Sequence, residues 1–391
     1  SVWGLMLTGQ LVTLDPDAEG NPAVWMRRLV SRLGEPIVRT AVVQAMRILG
    51  RQYVLGRSIE EALARSQSTE TPGELYSFDM LGEGARTWAD ADRYLDDYQQ
   101  ALSAVGTAAT GEDPALSNGI SVKLSALHPR FEMAQRDRVM RELPERILAL
   151  ARLARHHGIS LTIDAEEAAR LELTIEVFEA LARSPELAGW DGLGFVLQAY
   201  QKRAPLVADW LIELARETSQ RLMVRLVKGA YWDTEIKLAQ ELGLPDYPVF
   251  TRKANTDLCF EACAVRLLDA DTAIYPQFAT HNAHTCATVL AMAGGDTQSF
   301  EFQRLHGMGE SVHSIVKDTE GARCRIYAPV GAHRDLLAYL VRRLLENGAN
   351  SSFVNQVVDE TIPSEEISRD PLTELEALGD AVANPTIRLP G

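Results

Sequence analysis

Short apolar segments alternate with longer segments of helical periodicity over most of the chain. Eight of the short segments are rich in Val, Ile and Phe, and each ends in polar residues and is followed by apolar positions at three-to-four spacing. Such segments are typical of parallel strands that are buried on both faces. The eight predicted strands are Leu75–Leu81, Ile120–Leu127, Ser160–Ala165, Leu193–Tyr200, Leu222–Gly229, Ala273–Thr280, Phe300–Gly307 and Cys324–Val330.

Strands that alternate with helices predict an α/β protein with a parallel sheet. Helical stretches such as Arg138–His157 and Pro205–Thr218 separate the predicted strands. No G-x-G-x-x-G follows the first strand, which counts against an open dinucleotide-binding sheet. We therefore expect a closed (β/α)8 TIM-type barrel.

Three regions are predicted along the chain. Residues 1–70 show helical periodicity, as in Pro36–Met46, and are expected to form an N-terminal helical arm. Residues 71–358 are expected to form the barrel, and residues 359–391 a linker or tail. The chain begins inside an apolar stretch without an initiator Met, so we expect it to be a fragment of a longer protein.

The composition of the chain limits the classes of function. The 391 residues are 46% hydrophobic and 24% charged, which is typical of a globular protein with a large core. The net charge of −15 argues against a nucleic-acid partner, because such a surface needs clustered Lys and Arg. No apolar run is long enough for a membrane span, and the first residues show no signal-peptide pattern, so we expect neither feature. The cysteines are expected to be buried, reduced thiols of a cytoplasmic protein: Cys259, Cys263, Cys286 and Cys324.

Polar side chains gather at the carboxyl ends of the predicted strands, where the active sites of such barrels lie. Any one of them could be a structural ion pair, but a barrel held by packing alone would not need so many. Together they predict a ligand site without identifying the ligand. They are Asp79, Glu83, Lys123, Asp164, Gln198, Arg225, Lys228, Thr280, His281, His306 and Tyr327.

A helix is predicted after the eighth strand, at Leu336–Glu346, and is expected to lie over the barrel mouth. Tyr339, Arg342, Arg343 and Glu346 share one of its faces, opposite a leucine-rich side. One interpretation is a solvated face on which Glu346 pairs with an arginine. The other is an arginine fork that binds a carboxylate or phosphate. The residues alone leave both interpretations open.

The segment His281–His284, together with Cys286, invites a metal hypothesis, because His281 and His284 could lie on one helix face. Catalytic zinc needs three protein ligands, and no nearby carboxylate supplies the third. We therefore expect no metal ion. Thr280–Asn282 is better interpreted as a turn that hydrogen-bonds a ligand.

Eight runs of sequence resemble the proline dehydrogenase domain of the bacterial proline utilization A family, in the family's order. They are YSFDMLGE (76–83), ISVKLSALHPRF (120–131), IDAEEA (163–168), FVLQAYQKR (195–203), RLVKGAYWD (225–233), YPQFATHNAHT (275–285), RIYAPVG (325–331) and LAYLVRRLLENGANSSF (337–353). The resemblance implies a flavin-dependent proline dehydrogenase that oxidises L-proline to Δ1-pyrroline-5-carboxylate. It further implies non-covalent FAD, hydride transfer to the flavin N5, and a quinone as electron acceptor.

The resemblance also bears on the rest of the protein. It implies a cytoplasmic bacterial protein whose full-length form makes a peripheral contact with the inner membrane. Complete family members carry a C-terminal aldehyde dehydrogenase domain, and some carry an N-terminal DNA-binding or dimerising region. We expect neither to fit within this chain, and therefore no nucleic-acid partner for it.

Roles for individual residues follow from the resemblance. Arg342 and Arg343 would hold the proline carboxylate, and Glu83 would pair with Arg342 as a gate over the site. The residues expected to have catalytic roles are Arg225, Lys228 and Asp164. The residues expected to bind the substrate are Lys123, Asp164, Ala230, Leu305, Tyr327, Tyr339, Arg342 and Arg343. The residues expected to bind FAD are Gln198, Arg225, Val227, Lys228, Gly229, Trp232, Thr251, Lys253, Thr280, His281, Asn282, Glu346 and Phe353.

Two other functions are compatible with the barrel, because this fold supports many chemistries. Lys123 or Lys228, with a pKa lowered by burial, could form a Schiff base in an aldolase-type lyase. The other alternative is a carboxylate-binding module without catalytic activity.

Overall fold

A computed structural model of the protein describes residues 50, 52–67, 73–109, 111, 113–331, 339–343, 369–379 and 382–391. The chain divides into two compact units, Ser1–Tyr53 and Val54–Gly391. Several predictions fall outside the described residues. These are the helical segment 36–46, both ends of the predicted helix 336–346, and the flavin residues Glu346 and Phe353.

Eight parallel strands form a closed barrel in which each strand pairs with its neighbours in sequence and the last closes on the first. The predicted fold class and all eight predicted strands are confirmed, with strand ends that differ by a few residues. The strands are β1 (Leu75–Met80), β2 (Gly119–Val122), β3 (Ser160–Ile163), β4 (Leu193–Gln198), β5 (Leu222–Val227), β6 (Ile274–Ala279), β7 (Glu301–Leu305) and β8 (Arg323–Val330).

Helices follow the strands and pack around the barrel. They are α1 (Ile59–Ser66), α2 (Trp88–Ala108), α3 (Leu124–Leu127), α4 (Arg136–His156), α5 (Leu171–Ala182), α6 (Ala204–Thr218), α7 (Trp232–Leu242), α8 (Lys253–Leu268), α9 (Ala283–Met292), α10 (Glu310–Glu320) and α11 (Pro371–Leu378). In α4, Val139, Leu143, Ile147 and Leu150 form one buried stripe, which explains why the sequence periodicity predicted this helix. Among the described helices, none has the length and apolar character needed to cross a bilayer.

The predicted second strand is too long. It was expected to reach Leu127, but β2 ends at Val122 and Leu124–Leu127 form the single helical turn α3. Every residue of this turn is buried. From Ile120 to Ala126, apolar residues alternate with Ser121, Lys123 and Ser125. This period of two continues past the end of β2, so the sequence pattern favours a longer strand than the one that forms.

Polar side chains fill the interior of the barrel. Near its amino end, Arg325 of β8 donates to Glu301 of β7, with 2.6 Å between Nε and Oε1. Further up, Arg225 of β5 donates to the hydroxyls of Ser77 in β1 and Ser121 in β2, both at 3.0 Å. These strands are not neighbours of β5, so the Arg225 side chain must cross the interior. The hydrogen bonds offset the cost of burying the polar groups.

The end of the chain, expected to be a linker or tail, is folded onto the barrel unit over its described residues. Helix α11 packs against α8. After α11, the Asn255 side chain donates to the Val382 carbonyl oxygen at 2.9 Å, and the Asn384 amide donates to the Thr251 hydroxyl at 3.0 Å. These contacts attach residues 382–384 to the beginning of α8.

Candidate active site

A cluster of buried charges lies at the carboxyl ends of β1, β2, β3, β5 and β8. Lys123 Nζ donates to Asp79 Oδ1 at 2.8 Å and to Asp164 Oδ2 at 3.1 Å. Asp164 also accepts hydrogen bonds from Arg225 Nη1 at 2.9 Å and from the Tyr327 hydroxyl at 2.6 Å. The cluster therefore brings together four residues predicted from the sequence: Lys123, Asp164, Arg225 and Tyr327.

The two carboxyl groups of this cluster differ in their electrostatic environment. Burial raises the pKa of Asp79, because Lys123 offsets only part of the effect and Asp164 adds to it. Burial also opposes the ionisation of Asp164, but the charges of Lys123 and Arg225 lower its pKa overall. Burial would favour a neutral amine on Lys123, yet the surrounding acidic groups, Asp79 first, raise its pKa well above the ordinary value. Asp164 is thus a firmly ionised anchor for two cations.

Arg225 is the most constrained cation of the cluster. Besides Asp164, Ser77 and Ser121, its guanidinium lies over the Tyr327 ring, 5.1 Å from the centroid. Its Nε atom is buried and has no hydrogen-bond partner among the described residues. A buried donor without a partner is uncommon in native structures.

The short helical segment 339–343, which follows β8, carries the predicted arginine pair. Arg342 forms a bidentate ion pair with Glu83, at 2.8 Å from Nη1 to Oε1 and 3.0 Å from Nη2 to Oε2. Arg343 lies over the Tyr339 ring, 5.2 Å from the centroid, and both residues are buried. The face that bears Tyr339 and Arg343 is therefore not a solvated surface.

Residues predicted to bind the flavin lie mainly after β4, β5 and β6, beside those predicted to bind the substrate. Gln198 ends β4, while Lys228 and Gly229 follow β5. Gly229 has φ of +135°, and a Cβ atom there would lie 2.4 Å from the Tyr200 ring. A side chain at this position would therefore meet both backbone strain and a steric clash.

The turn after β6 is built by the predicted residues themselves. Asn282 N donates to the Thr280 hydroxyl at 3.1 Å, and the Asn282 side chain caps α9 by accepting from His284 N at 2.9 Å. His281 Nε2 accepts a hydrogen bond from Leu305 N at 3.1 Å. Among the described residues, no group of three or more metal-ligating side chains occurs.

The remaining predicted residues occupy the surrounding loops. Trp232 begins α7 and donates from Nε1 to the Phe250 carbonyl oxygen at 2.8 Å. Val227 is the last residue of β5, and Leu305 is the last of β7. Ala230 is exposed in the loop before α7.

Several residues that contact the predicted site residues have no role predicted from the sequence. Asp79 was noted only as a strand-end residue, yet it is the closest partner of Lys123. Tyr231 lies under Arg342, with 5.1 Å from the guanidinium carbon to the ring centroid. Asp257 pairs with Lys228. The signal for Asp257 was present, because it lies four residues after Lys253 on a helix.

The fold and the site define a TIM-type barrel protein with a cluster of buried charges at the carboxyl ends of its strands and a helical segment that carries two arginines. Residues 62–356 match the family model described as "Proline dehydrogenase", and residues 1–53 match "DNA-binding domain of Proline dehydrogenase". The chain belongs to the proline dehydrogenase family.

Known proteins of similar sequence and structure carry related names. The chain is 52% identical over 402 residues to the bifunctional protein PutA of Salmonella typhimurium, covering 100% of this chain and 30% of that protein. It is 29% identical over 334 residues to a proline dehydrogenase of Deinococcus radiodurans, covering 84% of this chain and 96% of that protein. A crystal structure of proline utilization A from Bradyrhizobium japonicum superposes with a TM-score of 0.83 at 57% identity, covering 93% of this chain and 37% of that one. The chain thus spans about a third of the longer relatives.

The match at residues 1–53 corrects one expectation. We expected the chain to lack the DNA-binding region of the family and to have no nucleic-acid partner, but a segment of this kind is present. The net charge of the whole chain hides a local difference in charge. Residues 1–53 carry six arginines and four acidic residues, so the acidic excess lies entirely in the remainder.

Proposed function

We propose that this chain oxidises L-proline to Δ1-pyrroline-5-carboxylate with non-covalent FAD and passes the electrons to a quinone. Its membership of the proline dehydrogenase family supports the substrate and the type of reaction. The observation that carries the proposal is the arginine pair of segment 339–343, held near a buried cluster of acidic and basic residues. Such a site can bind a carboxylate while keeping other charges fixed around it.

The substrate carboxylate would bind to Arg342 and Arg343. Glu83 already presents a carboxylate to both terminal nitrogens of Arg342, which demonstrates the bidentate geometry that the guanidinium offers. Burial opposes the ionisation of Glu83, but the hydrogen bonds and charge of Arg342 lower its pKa overall. Glu83 would therefore remain anionic and act as a gate that closes on Arg342.

The substrate ring would lie among Tyr327, Tyr339, Leu305 and Ala230, with Lys123 joining the arginines at the carboxylate. Asp79 and Asp164 already hold the Lys123 side chain, so little further conformational entropy would be lost from it when the substrate binds. The Tyr327 hydroxyl is fixed by Asp164. The protein's contribution here is orientation of the substrate carbon that loses hydride.

The donor set beside this pocket fits a flavin. Arg225 has a buried Nε without a partner among the described residues, and Lys228 and Lys253 share one carboxylate. When bound, FAD would supply the hydride acceptor that side chains lack. Arg225 and Lys228 would stabilise negative charge on the reduced ring, while Lys253 and the turn at Thr280–Asn282 would hold the ribityl and phosphate groups.

The lyase alternative has less support. A Schiff base requires a neutral amine, and the two aspartates around Lys123 raise its pKa well above the ordinary value, although burial opposes them. Burial lowers the pKa of Lys228, but Asp257 lies 2.5 Å from its Nζ and favours the charged form. Neither lysine is placed as an unpaired nucleophile.

An absorbance spectrum of the purified protein tests the proposal directly. We expect flavin bands in the isolated protein, loss of these bands when L-proline is added without oxygen, and their return with a quinone. Protein that binds proline but never reduces a dye acceptor would instead support a carboxylate-binding module. Trapping of a carbonyl substrate by borohydride would support the lyase.

We also propose that residues 1–53 bind DNA, on the basis of their match to the DNA-binding family model and their local excess of arginine. Electrophoretic mobility of duplex DNA with the full chain and with residues 54–391 tests this. We expect the full chain to bind DNA, more weakly as the salt concentration increases, and residues 54–391 not to bind it. Equal binding by both proteins would contradict it.

A further inference from the structure

Two lysines of the proposed flavin site are held by one carboxylate that has no role in the site described above. Lys228 Nζ lies 2.5 Å from Asp257 Oδ1, and Lys253 Nζ lies 2.5 Å from Asp257 Oδ2. Lys228 follows β5, whereas Lys253 is the first residue of α8 and Asp257 lies one turn further along that helix. Asp257 therefore connects the carboxyl end of a barrel strand to the beginning of a helix.

A second contact fixes Lys228 from another direction. Its Nζ donates to the Thr285 hydroxyl at 3.1 Å. Thr285 lies in the first turn of α9, where its backbone amide donates to the capping side chain of Asn282 at 3.3 Å. A lysine side chain otherwise samples many rotamers, and contacts to two helices remove that freedom before any ligand binds.

The contacts also determine the charge of the group. Burial lowers the pKa of Lys228, and Asp257 acts against this shift. Burial would raise the pKa of Asp257, but Lys228 and Lys253 lower it overall. Asp257 is therefore ionised and helps Lys228 to remain protonated. Asp257 thus holds two ammonium groups together beside the end of β5.

We propose that Asp257 and Thr285 are positioning residues, which hold the Lys228 ammonium at the end of β5 for the flavin, with Asp257 also tying it to Lys253. The inference rests on the proposed flavin site and adds two residues to it. Neither residue is proposed to touch the substrate. Their effect on the flavin passes through the lysines, so the removal of either should change the binding and redox properties of the flavin.

Asp257→Asn in the holoenzyme tests the proposal, since it keeps the size of the side chain and removes its charge. We expect the dissociation constant of FAD to rise by about tenfold, as for the loss of a charge-assisted contact. The flavin midpoint potential should fall, because a displaced or neutral Lys228 no longer stabilises the reduced ring. Asp257→Glu, which restores a carboxylate, should recover most of both properties.

Asp209→Asn is the matched control. Asp209 also pairs with a basic residue of α8, Arg266, at 3.2 Å, but that pair lies in the last turn of the helix and is exposed. This variant should leave the FAD dissociation constant and midpoint potential unchanged. Equal shifts in the two variants would mean that Asp257 acts only on the stability of α8, and would overturn the proposal.

Thr285→Val supplies an independent measurement, and it carries the test if Asp257→Asn does not fold. Thr285→Val should raise the FAD dissociation constant and lower the flavin midpoint potential, each by less than Asp257→Asn does. Unchanged FAD affinity and potential in both variants, or tighter FAD binding in Asp257→Asn, would overturn the positioning role alone. Absence of flavin from the unaltered protein would overturn the proposed function as well, so the two failures are distinguishable.

Discussion

Arg342 and Glu83 form a bidentate ion pair that joins the helical segment after β8 to the loop after β1. Both side chains are partly buried, with 17% and 33% of their surface exposed. The pair spans the first and last strands of the barrel, whose ends meet where the barrel closes. The pair therefore links the loop after the first strand to the segment after the last strand without involving the strands themselves.

Arg342→Met should weaken the retention of substrate and leave the flavin in place. The ion pair with Glu83 is lost, so the segment 339–343 loses its link to the β1 loop, but no predicted flavin contact is removed. We expect KM for L-proline to rise by about tenfold or more with an unchanged ratio of FAD to protein. Loss of FAD from this variant would contradict the assignment of Arg342 to the substrate side.

Arg343→Met should raise KM for L-proline by about 100-fold or more, because a desolvated, charge-assisted contact contributes roughly 2–4 kcal/mol. Arg343 is buried, so its charge acts in an environment of low polarity. Steady-state kinetics and the binding of a carboxylate analogue of proline would measure the effect. Arg266→Met on the exposed end of α8 is a suitable control and should leave KM unchanged.

Much of the fold could be predicted because its strands are buried on both faces. Apolar runs such as Leu193–Gln198 stand out against the helical periodicity of segments such as α4. The ends of elements were less certain. The alternation of apolar and polar residues in β2 continues through Leu124 and Ser125, so it does not mark the change from strand to helix.

The partners of the site residues were harder to predict than the residues themselves. Lys123, Asp164 and Arg225 could be predicted because they lie at the carboxyl ends of strands, where the active sites of such barrels lie. Their mutual contacts depend on how the strands close into a barrel, which brings Arg225 to Asp164 across 61 residues of sequence. The pairing of Asp257 with Lys253 follows from their spacing on one helix, whereas its contact with Lys228 depends on α8 lying beside the end of β5.

The contacts of residues 382–384 with α8 lead to a prediction about stability. Asn255 donates to the Val382 carbonyl oxygen and is itself buried. Asn255→Ala should lower the free energy of unfolding by about 1 kcal/mol and make the segment after α11 more susceptible to proteolysis. Chemical denaturation and limited proteolysis measure the two effects. Gln99→Ala, on the exposed face of α2, should change neither, and equal proteolysis of all three proteins would show that the contact does not hold the segment.

Glu261 should make the stability of the barrel unit depend on pH. Burial, followed by the nearby charges of Asp370 and Asp257, raises the pKa of Glu261 to about 6 from its ordinary value of 4.5. Between these two values the folded protein binds the proton more tightly than the unfolded chain, so stability falls as pH rises. Above about pH 6, Glu261 is ionised in both the folded and the unfolded state, and the loss of folding stability caused by its buried charge is complete.

Glu261→Gln removes this penalty and should raise the free energy of unfolding by about 1 kcal/mol near pH 7.5, after allowance for solvent screening. Near pH 4 the difference between the two proteins should almost vanish, because Glu261 is then protonated in the folded state. Denaturation curves at both pH values measure the change, with Glu213→Gln on the exposed face of α6 as the control. Asp370→Asn should reduce the benefit of the Glu261 substitution, since Asp370 supplies part of the repulsion. A Glu261→Gln effect of equal size at both pH values would mean that the side chain acts through packing, not through its charge.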